Sequence, residues 1–307
     1  MKFTLEKLLP GIRENVSLKK SSTFKIGGKA RYFFAATKKE DLIKSIKLAN
    51  DFKLPFFVLG NGSNLLISDK GFKGLMIKIK NQKSKIKHNL IYTEAGTLLS
   101  QLVALALKNN LTGLEWAVGI PGTLGGAIYG NAGAFGRSMP DIIKEVEVYD
   151  IKNKRIEIFK IKNCKFSYRE SIFKKNKNLI IISAILNLKK GNEKKIRQKI
   201  REHLIHRVKT QPLNFPSIGS IFKNPAPERS SVRGRSINFS AGELIEKCGL
   251  KGRKIGDVKI SEKHANFIIN LGKGKAGDVV KLINLIKKKV KEKFGVNLEE
   301  EIIYLGF

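Results

Sequence analysis

Sulfur is scarce in this chain, and apolar residues never form a long uninterrupted run. The only two cysteines among its 307 residues, Cys164 and Cys248, lie far apart in sequence. Such a pair predicts neither a disulfide framework nor a cysteine-rich metal cluster, and it is typical of a reducing compartment. No apolar run reaches the roughly 20 residues that cross a bilayer, and the N-terminus has no continuous apolar core of a secretory signal. We therefore expect a cytoplasmic protein without a membrane anchor.

Acidic residues are also few, with 26 Asp and Glu against 60 Lys and Arg, which gives a formal net charge of +34. An excess of this size can indicate a nucleic-acid-binding protein, and that class stays open as the alternative to an enzyme. However, the lysines are spread over every segment, without a lysine-rich tail or a basic and aromatic motif. The composition therefore predicts no specific nucleic-acid partner, although it favours the approach of anionic ligands.

The length predicts two or three domains, and the sequence patterns predict both helices and strands. Apolar residues recur at helical spacing over 193–209 and again over 276–294, where Gly295 predicts the helix end. A further helix is predicted over 97–108. Strands are predicted at 75–79, 90–94, 142–149, 155–161 and 179–188, because β-branched residues cluster or alternate there.

The most informative stretch is 119–136, which holds seven glycines and a proline and no charged residue. Glycine lets a ligand or another backbone approach the main chain closely. Successive exposed N–H groups, followed by a helix start, form a site for an anion. The stretch therefore predicts a cradle for a diphosphate, while a pair of tight turns in a β-rich domain is the alternative.

A second turn rich in glycine and asparagine occupies 60–67, directly after the apolar strand predicted at 55–59. Ligand sites of α/β proteins lie at the ends of strands. Taken alone, the turn is weak support for a site, since many hairpins carry Asn-Gly.

The segment Gly272–Gly277 matches the G-x-G-x-x-G pattern of dinucleotide-binding proteins. It follows a predicted strand and opens a predicted helix. Only about thirty residues remain beyond it, whereas a Rossmann half needs further parallel strands. We interpret the segment as a structural turn between a strand and a helix.

His203 and His206 lie three residues apart on the helix predicted at 193–209. This spacing can place two ligands on one metal ion. Because no third ligand is evident, we predict two histidines at the surface or the edge of the core, and no metal site.

Five separated motifs together resemble the UDP-N-acetylenolpyruvoylglucosamine reductase family, and they occur in family order from about residue 20 to 305. They are the turn at 60–67, the glycine-rich stretch at 119–136, Ser167-Tyr168-Arg169-Glu170-Ser171, the segment 219–225 and the acidic run 299–301. The segment Gln211–Pro216 is similar to that of the shorter, second subtype of the family.

The resemblance implies an α+β fold. A lead-in at 1–20 would precede an FAD-binding domain of the vanillyl-alcohol-oxidase type at 21–192, made of two subdomains that divide near residue 80. A linking helix at 193–210 would lead to a smaller α+β substrate-binding domain at 211–307. We expect a monomer.

The resemblance also implies a reaction, in which FAD and NADPH reduce UDP-N-acetylglucosamine-enolpyruvate to UDP-N-acetylmuramate for peptidoglycan synthesis. It implies an FAD site in the two glycine-rich regions. The residues that carry over are Gly60, Asn61, Gly62, Ser63, Asn64, Leu65, Gly119, Ile120, Pro121, Gly122, Thr123, Gly125, Gly126, Gly133 and Ala134.

Three catalytic positions carry over by resemblance, namely Arg169, Ser220 and Glu301. Arg169 offers a planar fork of donors for the substrate carboxylate, on which negative charge develops after hydride transfer. Ser220 would donate the proton to the adjacent carbon. Glu301 can assist only as a neutral acid, since an ionised carboxylate would repel that charge. Strand alternation gives Glu299 the same face as Glu301, so the choice between them depends on the register of the motif alone.

Five further residues are implied as substrate contacts: Tyr168, Lys223 and Asn224, with Arg207 or Lys209 at the UDP diphosphate. The polar segment 226–240 is longer than in many relatives and reads as a surface insertion. A flavin oxidoreductase of the same fold with a different substrate is the alternative enzyme. The set Arg169, Ser220 and Glu301 argues against it.

Overall fold

Helices and strands are mixed throughout the computed structural model, which describes residues 2–225, 231–232, 235–236 and 239–307. The helices, in chain order, are α1 (Lys2–Leu8), α2 (Lys39–Asp51), α3 (Leu99–Lys108), α4 (Leu124–Tyr129), α5 (Ile161–Cys164), α6 (Ile172–Lys175), α7 (Glu193–Thr210), α8 (Ala241–Lys247) and α9 (Ala276–Phe294). The strands are β1 (Arg13–Ser17), β2 (Lys29–Ala36), β3 (Phe56–Leu59), β4 (Leu65–Ile67), β5 (Phe72–Ile79), β6 (Ser84–Lys87), β7 (Leu90–Glu94), β8 (Leu111–Thr112), β9 (Gly133–Ala134), β10 (Arg137–Ser138), β11 (Ile143–Asp150), β12 (Arg155–Lys160), β13 (Leu179–Asn187), β14 (Lys189–Lys190), β15 (Ser217–Ser220), β16 (Ser231–Val232), β17 (Arg235–Ser236), β18 (Lys254–Ile255), β19 (Val258–Ile260), β20 (Phe267–Asn270) and β21 (Ile303–Leu305).

Two compact units are interleaved along the chain. The first comprises the chain up to Asn15, Arg31–Asn61 and Gly74–His206, and the second comprises Val16–Ala30, Gly62–Lys73 and the described residues from Arg207 onward. The domain boundaries expected from the sequence stay a prediction. The surface insertion predicted at 226–240 lies largely outside the described residues.

The first unit contains a five-stranded antiparallel sheet in the order β12-β11-β13-β7-β6. Its central strand β13 is a nearly continuous apolar run, and most of its side chains are buried. A second sheet has the order β1-β2-β5-β3, in which β3 and β5 run parallel. One apolar cluster, which includes Trp116, Ile128 and Ile182, forms the core of this unit. Burial of such side chains is the main source of its stability.

The second unit has its own core and an antiparallel sheet in the order β15-β20-β19-β18. Helix α9 buries Val279, Ile283, Ile286 and Val290 along one stripe, and Gly295 ends it with φ +67°. A left-handed residue at this position is how many helices end, and glycine adopts that conformation without strain. The predicted helix over 276–294 is confirmed.

The other predicted elements recur with small shifts at their ends. The helix predicted at 193–209 is α7, and the one predicted at 97–108 begins two residues later as α3. The predicted strands correspond to β5, β7, β11, β12 and β13. In the described part of the chain, no helix is both long enough and apolar enough to cross a membrane.

Candidate cofactor and active site

Two turns that the sequence predicts separately meet within the first unit. Asn61 Nδ2 donates a hydrogen bond of 2.6 Å to the carbonyl of Pro121. Beside this bond, a Cβ added at Gly60 would lie 2.5 Å from Thr123 Oγ1. A side chain at residue 60 would therefore force the turns apart, which explains glycine at this position.

The glycine-rich stretch is also fixed from its other side. The N–H groups of Leu124 and Gly125 donate to the carbonyls of Thr97 and Ala95, at 2.8 and 2.9 Å. Thr123 caps α4 by accepting the N–H of Gly126. Further along, the strands β9 and β10 form a hairpin whose two turn residues, Phe135 and Gly136, both have positive φ. That geometry matches the twist of the paired strands.

A cleft of about 350 Å³ lies at the meeting point of the turns, and it is lined by Asn61, Lys78, Ile79, Lys80, Gln82, Gly96, Leu98 and Thr123. Lys78 Nζ donates to the Gly60 carbonyl. Burial, with a smaller contribution from the charge of Lys80, lowers the pKa of Lys78 to about 8. The lining thus brings two ammonium groups to a site bordered by backbone turns, which suits an anionic ligand.

Lys78 and Lys80 are site residues that no motif of the sequence indicates. Both lie at the end of the apolar run Leu75-Met76-Ile77, and lysines in that position are common at exposed strand ends. The place of Lys78 becomes evident once the strands are paired. Strand β5 runs parallel to β3, so that Lys78 lies opposite Leu59, directly before the Gly60 turn.

Buried polar atoms beside the cleft support a ligand at this place. Asn81, between the lining residues Lys80 and Gln82, is fully buried, and Thr97 follows the lining residue Gly96. Among the described residues, neither the Asn81 side-chain amide nor Thr97 Oγ1 has a hydrogen-bond partner. Since a buried polar group without a partner costs free energy, these atoms are consistent with a bound polar group. The residues present therefore fit a diphosphate-containing cofactor.

The predicted catalytic residue Arg169 lies on a tight two-residue turn of the first unit. The backbones of Ser167 and Glu170 exchange hydrogen bonds of 3.1 and 3.0 Å across this turn. Arg169 has φ +57° and donates from its guanidinium to the Gly133 carbonyl at 3.0 Å. The turn thus connects Arg169 directly to the glycine-rich stretch.

The second unit brings Ser220 and Glu301 together. Ser220 ends β15 after an irregularity of the strand at Gly219, where φ is +79°. The next residue, Ile221, accepts the N–H of Glu301 at 2.8 Å. Asn64, from the predicted cofactor turn, donates from Nδ2 to the Glu301 carbonyl at 3.1 Å. Three predicted site segments that are far apart in sequence are therefore linked by hydrogen bonds.

Gly62, the residue of the cofactor turn with positive φ in this unit, packs closely on backbone. A Cβ added to it would lie 2.4 Å from the Ser21 carbonyl. Thr23 Oγ1 donates to the Ser217 carbonyl at 2.7 Å, and the Thr23 N–H donates to the Gly62 carbonyl. This threonine joins the turn to strand β15.

The three consecutive acids differ in their surroundings. Glu300 accepts hydrogen bonds from Tyr304 and from Lys287. Glu299 is 61% exposed and pairs with Lys223 at 3.6 Å. Glu301 is half-buried. Glu300 is half-buried as well, but its carboxylate is engaged by Lys287 and Tyr304. Glu301 is therefore the half-buried acid that we assign to the reaction.

The predicted substrate contacts lie in both units. In the first, Tyr168 is exposed beside Arg169, whose guanidinium carbon lies 5.1 Å from the ring centre. In the second, Arg207 is buried, which lowers its pKa, and Lys209 is exposed. Asn224 accepts the N–H of Ala241 at the start of α8, at 3.1 Å.

The G-x-G-x-x-G segment is a structural turn, as predicted. Asn270 Oδ1 accepts the N–H groups of Gly272 and Gly274, each at 2.9 Å. The carboxylate of Asp69 accepts those of Ala276 and Gly277, at 3.0 and 3.2 Å. The protein's own side chains therefore occupy the N-terminus of α9.

His203 and His206 both contact the ring of Phe135. The His203 ring stacks on it with centres 3.8 Å apart, and the His206 ring meets it edge-on at 5.4 Å. Within the described ranges, no three His, Cys, Asp or Glu side chains are grouped as a metal site.

Comparison with known proteins identifies the family of this chain. The family model of the FAD binding domain matches residues 30–158, and that of the UDP-N-acetylenolpyruvoylglucosamine reductase C-terminal domain matches residues 211–305. The reductase of Caldanaerobacter subterraneus is 44% identical over 293 residues, which cover 95% of this chain and 93% of that protein. The reductase of Caldicellulosiruptor bescii is 45% identical and covers 94% of this chain and 89% of that one.

A solved structure shows the same fold. The crystal structure of the UDP-N-acetylenolpyruvylglucosamine reductase from Thermus caldophilus superposes with a TM-score of 0.80 at 34% identity, and it covers 96% of this chain and 99% of that one. The predicted fold class, an α+β FAD-binding domain followed by the C-terminal domain of this family, is confirmed. The chain belongs to the UDP-N-acetylenolpyruvoylglucosamine reductase family.

Proposed function

We propose that this protein reduces UDP-N-acetylglucosamine-enolpyruvate to UDP-N-acetylmuramate, a step of peptidoglycan precursor synthesis, with FAD as cofactor and NADPH as the hydride donor. The observation that carries this proposal is the hydrogen-bonded arrangement of the second unit. There, Asn64 of the cofactor turn contacts Glu301, and Glu301 contacts the residue that follows Ser220. This arrangement supports the proposal because it joins a segment assigned to the cofactor with two segments assigned to catalysis.

The cofactor would be held by the turns at Gly60 and Gly119–Gly126, with Lys78 at its negative charge. When bound and reduced by NADPH, the flavin would supply the hydride for the terminal carbon of the enolpyruvyl group. Lys78 suits the diphosphate because its ammonium is already fixed by the Gly60 carbonyl, so little side-chain entropy is lost on binding.

Arg169 binds the substrate carboxylate. As the hydride adds, the electrons of the carbon–carbon double bond move toward that carboxylate, and negative charge grows on its oxygens. The guanidinium is planar and always charged, and it donates two parallel hydrogen bonds to such a group. The fixed donors stabilise charge that develops in the transition state without reorganising.

Ser220 completes the addition by donating its hydroxyl proton to the carbon next to the carboxylate. The resulting alkoxide takes a proton back from solvent before the next turnover. Glu301, half-buried beside Ile221, shares a proton with the developing enolate as a neutral acid.

The Ser220→Ala variant tests this assignment. We expect reduction of the bound flavin by NADPH to proceed nearly as in the wild type, whereas its reoxidation by the enolpyruvyl substrate should slow by about 10²–10⁴-fold, as for loss of a general acid. Stopped-flow absorbance of the flavin measures each half-reaction. Ser217→Ala, three residues earlier on β15, is the matched control and should leave both rates intact. Reoxidation at the wild-type rate in Ser220→Ala would remove Ser220 from the acid role.

The remaining assignments belong to the same proposal. Tyr168, Arg207, Lys209, Lys223 and Asn224 would contact the UDP-sugar. We further propose a cytoplasmic monomer without a specific nucleic-acid partner, and domain boundaries near residues 21, 193 and 211. A colourless preparation that bound nucleic acid in a salt-dependent manner would contradict this function.

A further inference from the structure

The turn that carries Arg169 is attached to the segment after α4 in the first unit. Three side-chain hydrogen bonds join them: Ser171 Oγ to the Tyr129 carbonyl at 2.7 Å, Asn131 Nδ2 to the Ser167 carbonyl at 2.7 Å, and the Arg169 guanidinium to the Gly133 carbonyl at 3.0 Å. On the glycine-rich side, the bonded residues are Tyr129, Asn131 and Gly133, each two positions after the one before. The position of the turn is therefore set by the glycine-rich stretch.

Asn131 lies between Tyr129 and Gly133, and its side chain is buried. It is 6% exposed, and its backbone has φ +45°. Asparagine tolerates this left-handed conformation better than most residues with a Cβ. Its amide donates to the same Ser167 carbonyl that accepts the N–H of Glu170 across the turn. Asn131 therefore fixes the first residue of the turn.

The turn needs such support because Arg169 itself has φ +57°. A residue with a Cβ in this region is strained, and it stays there only when its surroundings hold it. Lys174 Nζ contributes from the other side, with hydrogen bonds of 3.1 Å to the Arg169 carbonyl and to Glu170 Oε1. The guanidinium is thus oriented through the backbone of the turn.

We propose that Asn131 is a positioning residue for Arg169, which keeps the turn docked on the glycine-rich stretch so that the guanidinium is preorganised for the substrate carboxylate. This inference rests on the role given to Arg169 in the proposed function. It assigns a task to an asparagine that has no part in the chemistry itself. A small displacement of a charged donor is enough to slow a reaction markedly.

Asn131→Gly tests the inference, because glycine keeps the left-handed backbone and removes only the amide. We expect about tenfold weaker binding of the enolpyruvyl substrate and about tenfold slower flavin reoxidation, with flavin reduction by NADPH unchanged. Substrate binding is measured as the perturbation of the oxidised flavin spectrum, without turnover. Asn110→Gly is the matched control, since Asn110 also has positive φ, at 53°, in the same unit. It should change none of these quantities.

A double-mutant cycle separates positioning from a general loss of structure. In an Arg169→Ala background, Asn131→Gly should have no further effect on substrate affinity or reoxidation. If the effects of Asn131→Gly and Arg169→Ala multiplied in the double variant, the positioning role would be overturned. The same holds if Asn131→Gly alone bound the enolpyruvyl substrate as tightly as the wild type. If Arg169→Ala itself left reoxidation unchanged, the assignment of Arg169 in the proposed function would fail instead.

A second variant covers the case in which Asn131→Gly does not fold. Asn131→Asp has the same size, but it presents an acceptor to the Ser167 carbonyl. It should lower substrate affinity by more than the glycine variant. Equal affinity of Asn131→Asp and the wild type would also overturn the inference.

Discussion

Two glycine-rich stretches of this chain look alike in sequence and differ in what surrounds them. Each leads into a helix, and each has a glycine as the second helical residue, Gly125 in α4 and Gly277 in α9. At the second stretch, Asp69 and Asn270 accept the N–H groups at the helix start and in the turn. The first stretch instead borders a cleft that is lined by Lys78 and Lys80.

The start of α4 is also occupied, because the N–H groups of Leu124, Gly125 and Gly126 donate to Thr97, Ala95 and Thr123. A glycine pattern therefore indicates neither free backbone N–H groups nor a ligand, and the expected row of exposed N–H groups is not found at this helix start. A carboxylate of the protein already occupies the positive end of the α9 dipole, where an anion would otherwise bind. At the first stretch, the nearby side chains are cations, and they add to the attraction for an anion. The sign of the neighbouring charges therefore separates the binding loop from the structural turn.

The largest change should follow from removing Lys78, the cation that lines the cleft beside the first stretch. Lys78→Met should weaken FAD binding to the apoprotein by about 10- to 100-fold, since hydrogen bonds to charged groups contribute about 1.5–3 kcal/mol. Quenching of flavin fluorescence measures the affinity. Lys273→Met, in the second stretch, is the control and should bind FAD as the wild type does. Equal affinity of Lys78→Met and the wild type would show that Lys78 is not at the cofactor.

A methyl group placed in the first stretch should cost stability. In Gly125→Ala, the added Cβ would lie 2.9 Å from the Ala95 Cβ and 3.2 Å from the Ala95 carbonyl oxygen. Because α4 must shift to relieve this overlap, we expect a loss of about 1–3 kcal/mol in the free energy of unfolding. Urea unfolding of the apoprotein measures it. A variant as stable as the wild type would mean that the loop is loosely held.

The pH dependence of FAD binding should sharpen the comparison further. Burial lowers the pKa of Lys78 to about 8, so the side chain is charged below that pH and becomes neutral above it. FAD affinity of the wild type should therefore fall by about threefold to tenfold between about pH 7 and pH 9. Lys80 is the other ionisable group in the described lining of the cleft. Lys78→Met should show a flatter profile, and an equally steep one would exclude Lys78 as the titrating group.

Local patterns predicted the elements well. Helix α9 could be predicted because its buried stripe recurs at helical spacing and Gly295 ends it. The family motifs predicted the cofactor turns, yet the hydrogen bond between Asn61 and Pro121 joins residues that are 60 apart. Such a contact depends on how the strands pair, and strand pairing cannot be predicted from a local pattern of residues.

The features that were missed are also the non-local ones. Asp69 reaches the start of α9 across a sequence separation of 207 residues, and nothing around Asp69 indicates this. Lys78 looks like an ordinary lysine of a strand end until β3 is paired with β5. In the sequence, the choice of Glu301 over Glu299 as the catalytic acid depends on the register of the motif alone. In the structure, Glu299 is exposed and Glu301 is half-buried, which supports Glu301.

The smallest effect is expected at the second stretch, where Gly277 occupies the helical position that Gly125 has in the first. No atom lies within 4 Å of a Cβ added at Gly277. Since alanine has a higher helix propensity than glycine, Gly277→Ala should stabilise the apoprotein by up to about 1 kcal/mol. Urea unfolding should show this gain, while fluorescence titration should show an unchanged affinity for FAD. Weaker FAD binding by Gly277→Ala would place the cofactor at the second stretch and reverse the comparison.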